Sequence, residues 1–110
     1  MADTGVHLDP VIHAQARLRI MATLAQMRHG DELHFPRLRE LLGMTAGNLS
    51  VHLSRLEEAG YVRQEKSFAG RTPATYISLT STGRAAFDRY TADLRRLLAS
   101  GPEGSSGEPS

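Results

Sequence analysis

The stretch that decides the fold is TAGNLSVHLSRLEEAGYV, residues Thr45–Val62. Thr45 is a favourable N-cap, because its hydroxyl can accept a hydrogen bond from a free backbone N–H in the first helical turn. Leucines at positions 49, 53 and 56 recur at helical spacing and continue to Ala59. Gly60 suits the left-handed conformation that ends a helix, and a β-type run begins directly after it. The segment therefore predicts an amphipathic helix over Thr45–Ala59 that leads into a strand.

The face of this helix opposite the leucines is small and polar. A face that is only solvated is usually richer in Lys and Glu, whereas a helix that enters a DNA groove needs slim side chains with hydrogen-bonding ends. We interpret the segment as a recognition helix; the alternative is an ordinary surface helix with a small-residue face. Besides the cap Thr45, the residues of this face are Ala46, Gly47, Ser50, Val51, Ser54 and Arg55, with Asn48 to one side.

A shorter helix is predicted just before the recognition helix. Pro36 favours an extended conformation over Glu32–Phe35 and then opens a helix that continues through Leu42. Gly43 ends that helix, so two helices are joined by a turn that contains glycine. This is the helix-turn-helix arrangement, with Pro36–Leu42 as the supporting helix.

A β-hairpin is predicted after Gly60. Tyr61–Phe68 alternates like a strand, Ala69–Pro73 has turn chemistry, and Ala74–Leu79 is a second strand. The predicted loop is longer than the common two-residue kind. Arg71 lies at its tip, and the polar residues nearest to it include Lys66 and Thr72.

Two terminal helices complete the predicted domain. The first is predicted from Asp9-Pro10, a cap followed by proline, to about Arg28. The last is predicted from a cap at Thr80 or Ser81 to about Ala99. Both carry apolar residues that one small domain is not expected to cover, and a second subunit is the simplest cover. The expected dimer interface comprises Val11, Ile12, Ile20, Phe87, Tyr90, Leu94, Leu97 and Leu98.

The length and composition of the chain indicate a single, mildly basic domain. The 110 residues suit one domain, which we place at residues 9–99, between a flexible N-terminus over residues 1–8 and a disordered tail over residues 100–110. Three of the twelve acidic residues lie in those end segments. Nine acidic residues therefore face 13 basic ones, of which twelve are Arg. A mildly basic, Arg-rich domain is compatible with binding to nucleic acid.

The residue types do not indicate a metal-binding protein, an enzyme or a membrane protein. The chain has no Cys, and its five His show no helical metal-site spacing, so neither a metal nor another cofactor is expected. No nucleophile–base set or cleft carboxylate pair indicates an enzyme. The chain also lacks a membrane-spanning apolar run and a signal-peptide pattern, so we expect a cytoplasmic protein.

The order of elements and three segments within residues 43–87 resemble the small MarR/ArsR-like winged-helix transcriptional regulators of bacteria and archaea. These segments are TAGNLSVHLSRLEEAGYV for the recognition helix, KSFAGRTPATYISLT for the wing, and LTSTGR before the last helix. The resemblance implies a fold of the α+β class that is mainly α: a winged helix-turn-helix with a two-stranded wing and long terminal helices for dimerisation.

The same resemblance implies a homodimer that binds double-stranded DNA at a pseudo-palindromic operator. It places the recognition helix in the major groove, through the face described above, and Arg71 of the wing at the minor groove. Without Cys, and without His after His52, the metal sites of ArsR-type sensors are not expected. The chain is short for the ligand pocket of typical MarR proteins, so an effector pocket of that kind is not expected, and the sequence identifies no small-molecule effector. The alternative from another class is a winged helix that binds protein and not DNA.

Overall fold

A computed structural model describes residues 7–100. Within that range the chain forms four helices and one three-stranded antiparallel sheet with strand order β1-β3-β2. This confirms the predicted fold, with one addition: β1 joins the two strands of the wing. The elements are α1 Gln15–Ala25, β1 Glu32–His34, α2 Phe35–Leu42, α3 Ala46–Glu58, β2 Val62–Ala69, β3 Thr72–Leu79 and α4 Ser81–Ser100.

The helix-turn-helix is α2 and α3. Gly43 lies between them with φ +66°, a left-handed conformation that glycine adopts without steric cost. The Thr45 hydroxyl accepts a hydrogen bond from the Asn48 backbone N–H at 3.1 Å, which confirms the predicted cap. The leucines at 49, 53 and 56 are fully buried, so the stripe that predicted the helix is also what anchors it to the core.

The first helix does not begin where the sequence predicted. Asp9 does cap a turn, because its Oδ1 accepts from the Val11 N–H at 2.9 Å and its carbonyl accepts from the His13 N–H at 2.7 Å. The backbone then becomes extended at Ala14, with φ −138° and ψ 129°, so that turn cannot continue. α1 starts afresh at Gln15 and ends at Ala25, before the predicted end at Arg28.

The expectation that a partner subunit is needed to cover Ile12 and Ile20 is wrong. Both side chains are fully buried within the single chain, and Tyr90 is nearly so. Ile20 is covered because its helix, α1, contacts α3, α4 and β3. Ile12 lies in the turn before α1 and belongs to the same core cluster. Of the expected interface residues, Leu97 and Leu98 are exposed, whereas Val11, Phe87 and Leu94 are half-buried against the core.

The hairpin loop is shorter than predicted. Only Gly70 and Arg71 separate β2 from β3, and Ala69 pairs with Thr72. Gly70 has φ +67° and Arg71 a negative φ, which fits the two-residue turn with glycine first. Thr72 and Pro73, which were predicted to lie in the turn, belong to β3.

α4 begins where the sequence predicted. Thr80 caps it, since its hydroxyl accepts from the Gly83 N–H at 2.9 Å. Gly83 is buried against the backbone of Tyr61, and a Cβ there would lie 2.0 Å from the Tyr61 carbonyl oxygen. Leu8, predicted as flexible, is half-buried against the core, and Ser100 is helical. Residues 1–6 and 101–110 of the two predicted end segments lie outside the described residues.

Candidate nucleic-acid interface

The outermost side of α3 carries the residues proposed to read bases. Val51 is 61% exposed, although it lies in the middle of a helix whose other branched apolar residues are buried. A Cβ added at Gly47, one turn earlier, would meet no atom within 4 Å. Arg55, one turn later, is exposed. This side of the helix is therefore slim and unobstructed, as the sequence predicted.

A groove of about 490 Å³ separates α3 from the hairpin. Ser50 and Ser54 line it from the helix, and Lys66 and Thr75 line it from the strands. Three residues that were predicted to bind DNA therefore line one groove: Ser50, Ser54 and Lys66. Arg71 and Thr72 lie further out, at the exposed end of the hairpin.

A hydrogen-bonded pair that the sequence did not predict lines the same groove. The Glu57 carboxylate accepts hydrogen bonds from the Gln64 backbone N–H at 3.2 Å and from the Gln64 side-chain amide at 2.9 Å. Glu57 is in the last turn of α3 and Gln64 is near the start of β2. The pair therefore holds the recognition helix and the wing at a set angle. Their separation of seven residues crosses a turn, so no periodic pattern revealed it.

The opposite side of α3 lies next to α1. Asn48 and His52 line a shallow cavity of about 260 Å³ together with Arg19 and other residues of α1. The Nη1 of Arg17 lies 3.4 Å from the His52 Nδ1, and its Nε donates to the Val11 carbonyl. Arg17 therefore ties the N-terminal turn to the recognition helix.

The basic residues divide into those with partners and those without. Arg19 donates to the Leu42 carbonyl at 2.7 Å and Arg39 to the Met44 carbonyl at 3.0 Å, so both secure the helix-turn-helix backbone. Arg37 pairs with Glu40 at the surface. Within residues 7–100, three exposed cations of the predicted interface form no hydrogen bond or ion pair with the protein: Arg55, Lys66 and Arg71.

A separate cavity of about 480 Å³ lies where the N-terminal turn meets α4. The Tyr61 hydroxyl donates a hydrogen bond to the Asp9 carboxylate at this cavity. That hydrogen bond, followed by burial and the charge of Asp9, raises the pKa of Tyr61 to about 12. Burial also raises the pKa of Tyr90, whose hydroxyl lies 2.7 Å from the His13 Nδ1. These contacts attach the N-terminal turn to the end of α3 and to α4.

Residues 7–100 contain neither a metal-binding cluster nor a membrane-spanning helix. No group of three or more His, Cys, Asp or Glu is placed to hold a metal ion there. No helix in that part of the chain is long and apolar enough to cross a membrane.

The sequence matches a known protein family and a known relative. The profile of a family described as winged helix DNA-binding domain matches residues 16–98. The uncharacterized protein MJ0432 of Methanocaldococcus jannaschii is 34% identical over 87 residues, which cover 79% of this chain and 91% of that protein.

Solved structures agree with this result. A transcriptional regulator homologue from Pyrococcus horikoshii superimposes with a TM-score of 0.73 at 30% identity, covering 80% of this chain and 84% of that one. MepR of S. aureus, solved in complex with DNA, shares the fold with a TM-score of 0.66 at 19% identity, covering 78% and 68%. A MarR-family protein from Enterococcus faecalis also shares the fold, with a TM-score of 0.66 at 24% identity, covering 78% of this chain and 74% of that one. This chain therefore belongs to the winged helix DNA-binding domain family.

Proposed function

We propose that this protein is a sequence-specific transcriptional regulator that binds DNA as a homodimer, with α3 in the major groove and the β2–β3 wing at the minor groove. The observation that carries the proposal is the groove between α3 and the wing. A slim, exposed helix face and an unpaired cation line the same concave surface. The fold shared with a DNA-bound regulator, MepR, supports this mode of binding.

Base recognition is assigned to the outward side of α3 and its two edges. Asn48, at the edge next to α1, and Ser50, at the edge next to the wing, have donors and acceptors that suit base edges. Arg55 can donate two hydrogen bonds to guanine. Val51 can contact a thymine methyl group. Gly47 and Ala46 keep the start of the helix narrow, so that the backbone can approach DNA closely. Thr45 caps the helix, and Ser54 lies between the base-reading side and the wing.

Phosphate binding is assigned to the two wing cations that have no protein partner. Lys66 lies on β2 and Arg71 in the turn between β2 and β3. Free guanidinium and ammonium groups lose no internal contact when they bind phosphate. Each phosphate neutralised releases counterions, so log K should fall with log[salt] by about 0.9 per contact. Thr72, beside Arg71, can donate a hydroxyl to a phosphate or sugar. At the phosphate edge of the minor groove, Arg71 would also be attracted by the stronger negative potential of narrow, A·T-rich sites.

The dimer supplies the symmetry that operator recognition needs. Two recognition helices about 34 Å apart would reach successive turns of the major groove on one face of DNA. The exposed Leu97 and Leu98 at the end of α4 are the proposed centre of the interface, and the half-buried residues of the predicted set, Val11, Phe87 and Leu94, extend it.

The test begins with selection of bound sequences from random duplex DNA, followed by fluorescence-anisotropy titration of the selected site. Arg55→Ala should weaken binding by about 1–3 kcal/mol and relax the preference at particular base pairs. Arg71→Ala should weaken binding most at A·T-rich flanks. Arg63→Ala is the matched control, since Arg63 is on β2 but lines a cavity on the other side of the sheet.

The outcomes separate this function from its alternative. Enrichment of a sequence motif with an affinity that falls steeply with salt supports the proposal. If no DNA is retained even at low salt, the proposal is wrong, and the same surface would then serve a protein partner. If Arg55→Ala weakens binding to all sequences equally, Arg55 is a phosphate contact and not a base reader.

A further inference from the structure

The core-facing side of the hairpin continues past the end of the core. Residues directly opposite each other in an antiparallel pair point to the same face, and that face recurs every second residue. Val62 pairs with Leu79, and the buried Ile77 lies opposite Gln64. Two steps further along the same face, Phe68 pairs with Pro73. Phe68 is 66% exposed, so this last apolar pair lies beyond the protein core.

This face is the one that looks toward the recognition helix. Gln64, Lys66 and Thr75 all belong to it, and all three line the groove opposite Ser50 and Ser54 of α3. The Phe68–Pro73 pair is the next pair outward on the same surface. The surface that is proposed to face DNA therefore ends in an apolar pair, not a polar one.

The charges around this pair distinguish it from an isolated exposed apolar residue, which is common on protein surfaces. Lys66 precedes Phe68 by two residues on the same face, and Arg71 follows in the turn. Neither cation forms a hydrogen bond or ion pair within the described part of the chain. The wing thus presents an apolar centre between two unpaired positive charges.

The minor groove of DNA has the complementary chemistry. Its walls are formed by deoxyribose rings, and two rows of phosphates run along its edges. Proteins that bind there often place Phe or Pro in the groove beside basic residues. The pyrrolidine ring of Pro73 is rigid and loses no side-chain entropy when it is buried, so it can support the Phe68 ring from the paired strand.

We propose that Phe68, supported by Pro73, packs against the deoxyribose walls of the minor groove while Lys66 and Arg71 bind the flanking phosphates. The inference rests on the proposed DNA-binding function and adds an apolar positioning contact to it. Phe68 would set how deeply the wing enters the groove, without reading any base.

Anisotropy titration of Phe68→Ala on the selected site tests this contact. The Kd should rise about tenfold, equivalent to about 1.4 kcal/mol, while the slope of log K against log[salt] stays unchanged because no charge is lost. Lys66→Ala should instead reduce that slope by about one. Phe68→Leu should recover part of the affinity, since it restores an apolar side chain. Ser67→Ala, on the opposite face of the same strand, should leave the Kd unchanged.

The controls keep this inference separate from the function on which it rests. If wild-type protein binds DNA and Arg71→Ala weakens it, but Phe68→Ala has no effect, the Phe68 contact is wrong and the DNA-binding function stands. If the wild type binds no DNA, both are wrong. If Phe68→Ala changes the sedimentation coefficient of the free protein, Phe68 contacts a second copy of the chain, and the inference is also overturned.

Discussion

Glu57 on the recognition helix accepts two hydrogen bonds from Gln64 at the base of the wing, from its backbone N–H and from its side-chain amide. These are the contacts that fix the wing relative to α3 at the groove we assign to DNA. An acidic residue close to DNA normally opposes binding, because it repels phosphate. Its presence here is explained if orientation of the wing outweighs that repulsion.

The first prediction separates the two effects of Glu57. Glu57→Gln removes the charge but keeps an acceptor oxygen for Gln64, so it should bind the selected DNA site as tightly as wild type or more tightly. Glu57→Ala removes the charge and both hydrogen bonds. It should bind about threefold to tenfold more weakly than Glu57→Gln, in line with the usual value of such bonds. Equal affinities of the two variants, measured at one salt concentration, would show that Glu57 acts only through its charge.

The second prediction concerns Gly47. Ala is more favourable than Gly inside a helix by about 0.5–1 kcal/mol, and a Cβ at Gly47 meets no protein atom within 4 Å. Gly47→Ala should therefore raise the free energy of unfolding, measured by urea denaturation. If α3 approaches DNA closely at this point, the same variant should lose affinity. A variant that is both more stable and equally tight in DNA binding would show that Gly47 is not at the contact.

The third prediction concerns Gly83, which is helical like Gly47 but buried. Its added Cβ would lie 2.0 Å from the Tyr61 carbonyl oxygen, and backbone there cannot move without disturbing the end of α3. Gly83→Ala should lower the free energy of unfolding by about 3 kcal/mol. Gly47→Ala is the matched control, because it is the same change in a helix with open space. A Gly83 variant as stable as wild type would mean that α4 can shift away from Tyr61.

The elements that the sequence predicted well are those with a local cause. The leucine stripe, the Thr45 cap and the Thr80 cap each act within a few residues, and the structure confirms all three. The helix-turn-helix was predicted from Pro36 and Gly43, which are also local signals, together with the recognition helix. The slim face of α3 could also be predicted, because the helical spacing of the buried leucines shows which residues lie on the opposite face.

The errors arose where distant parts of the chain decide the outcome. The start of α1 was misplaced because the cap at Asp9 is real but serves a separate turn. Ile12 and Ile20 were assigned to a partner because their cover comes from elements far along the chain. The Glu57–Gln64 pair and the outward position of Phe68 depend on the angle and register of the hairpin. Neither has a local signal in the sequence.

The fourth prediction is a pH dependence of stability. The pKa of Tyr61 rises from its ordinary value of 10.0 to about 12 in the folded protein, mainly because the neutral hydroxyl donates to Asp9. The folded state therefore holds this proton more tightly than the unfolded state. The resulting stabilisation is fully present below pH 10 and is lost as the pH rises from 10 to 12.

Urea unfolding of wild type and Tyr61→Phe across pH 8–12 measures this effect. The difference in stability between the two proteins should shrink as the pH rises through that window. Absorbance of tyrosinate, compared between the same two proteins, identifies the Tyr61 titration separately from that of Tyr90. A difference in stability that does not change with pH would show that the Asp9 contact is absent in solution.

The last prediction is the dimer, on which the proposed operator geometry depends. α4 is about 30 Å long at 1.5 Å per residue, and its last two turns expose Leu97 and Leu98, the latter by 72%. Because neither side chain belongs to the core cluster, replacing the two with Glu should leave each protomer folded. It should also place like charges in the proposed interface and prevent association. We expect monomers that retain weak, salt-sensitive DNA binding but lose the preference for the selected pseudo-palindromic site.

Sedimentation velocity at micromolar concentration, combined with anisotropy on the selected site, checks this result. Leu41→Glu is the matched control, because Leu41 is also an exposed leucine but lies on α2, outside the proposed interface. It should leave the sedimentation coefficient unchanged. A wild-type protein that sediments as a monomer and still prefers the pseudo-palindromic site would contradict the dimer. Each α3 would then have to recognise its half-site alone, without the two-fold symmetry that fixes the spacing between half-sites.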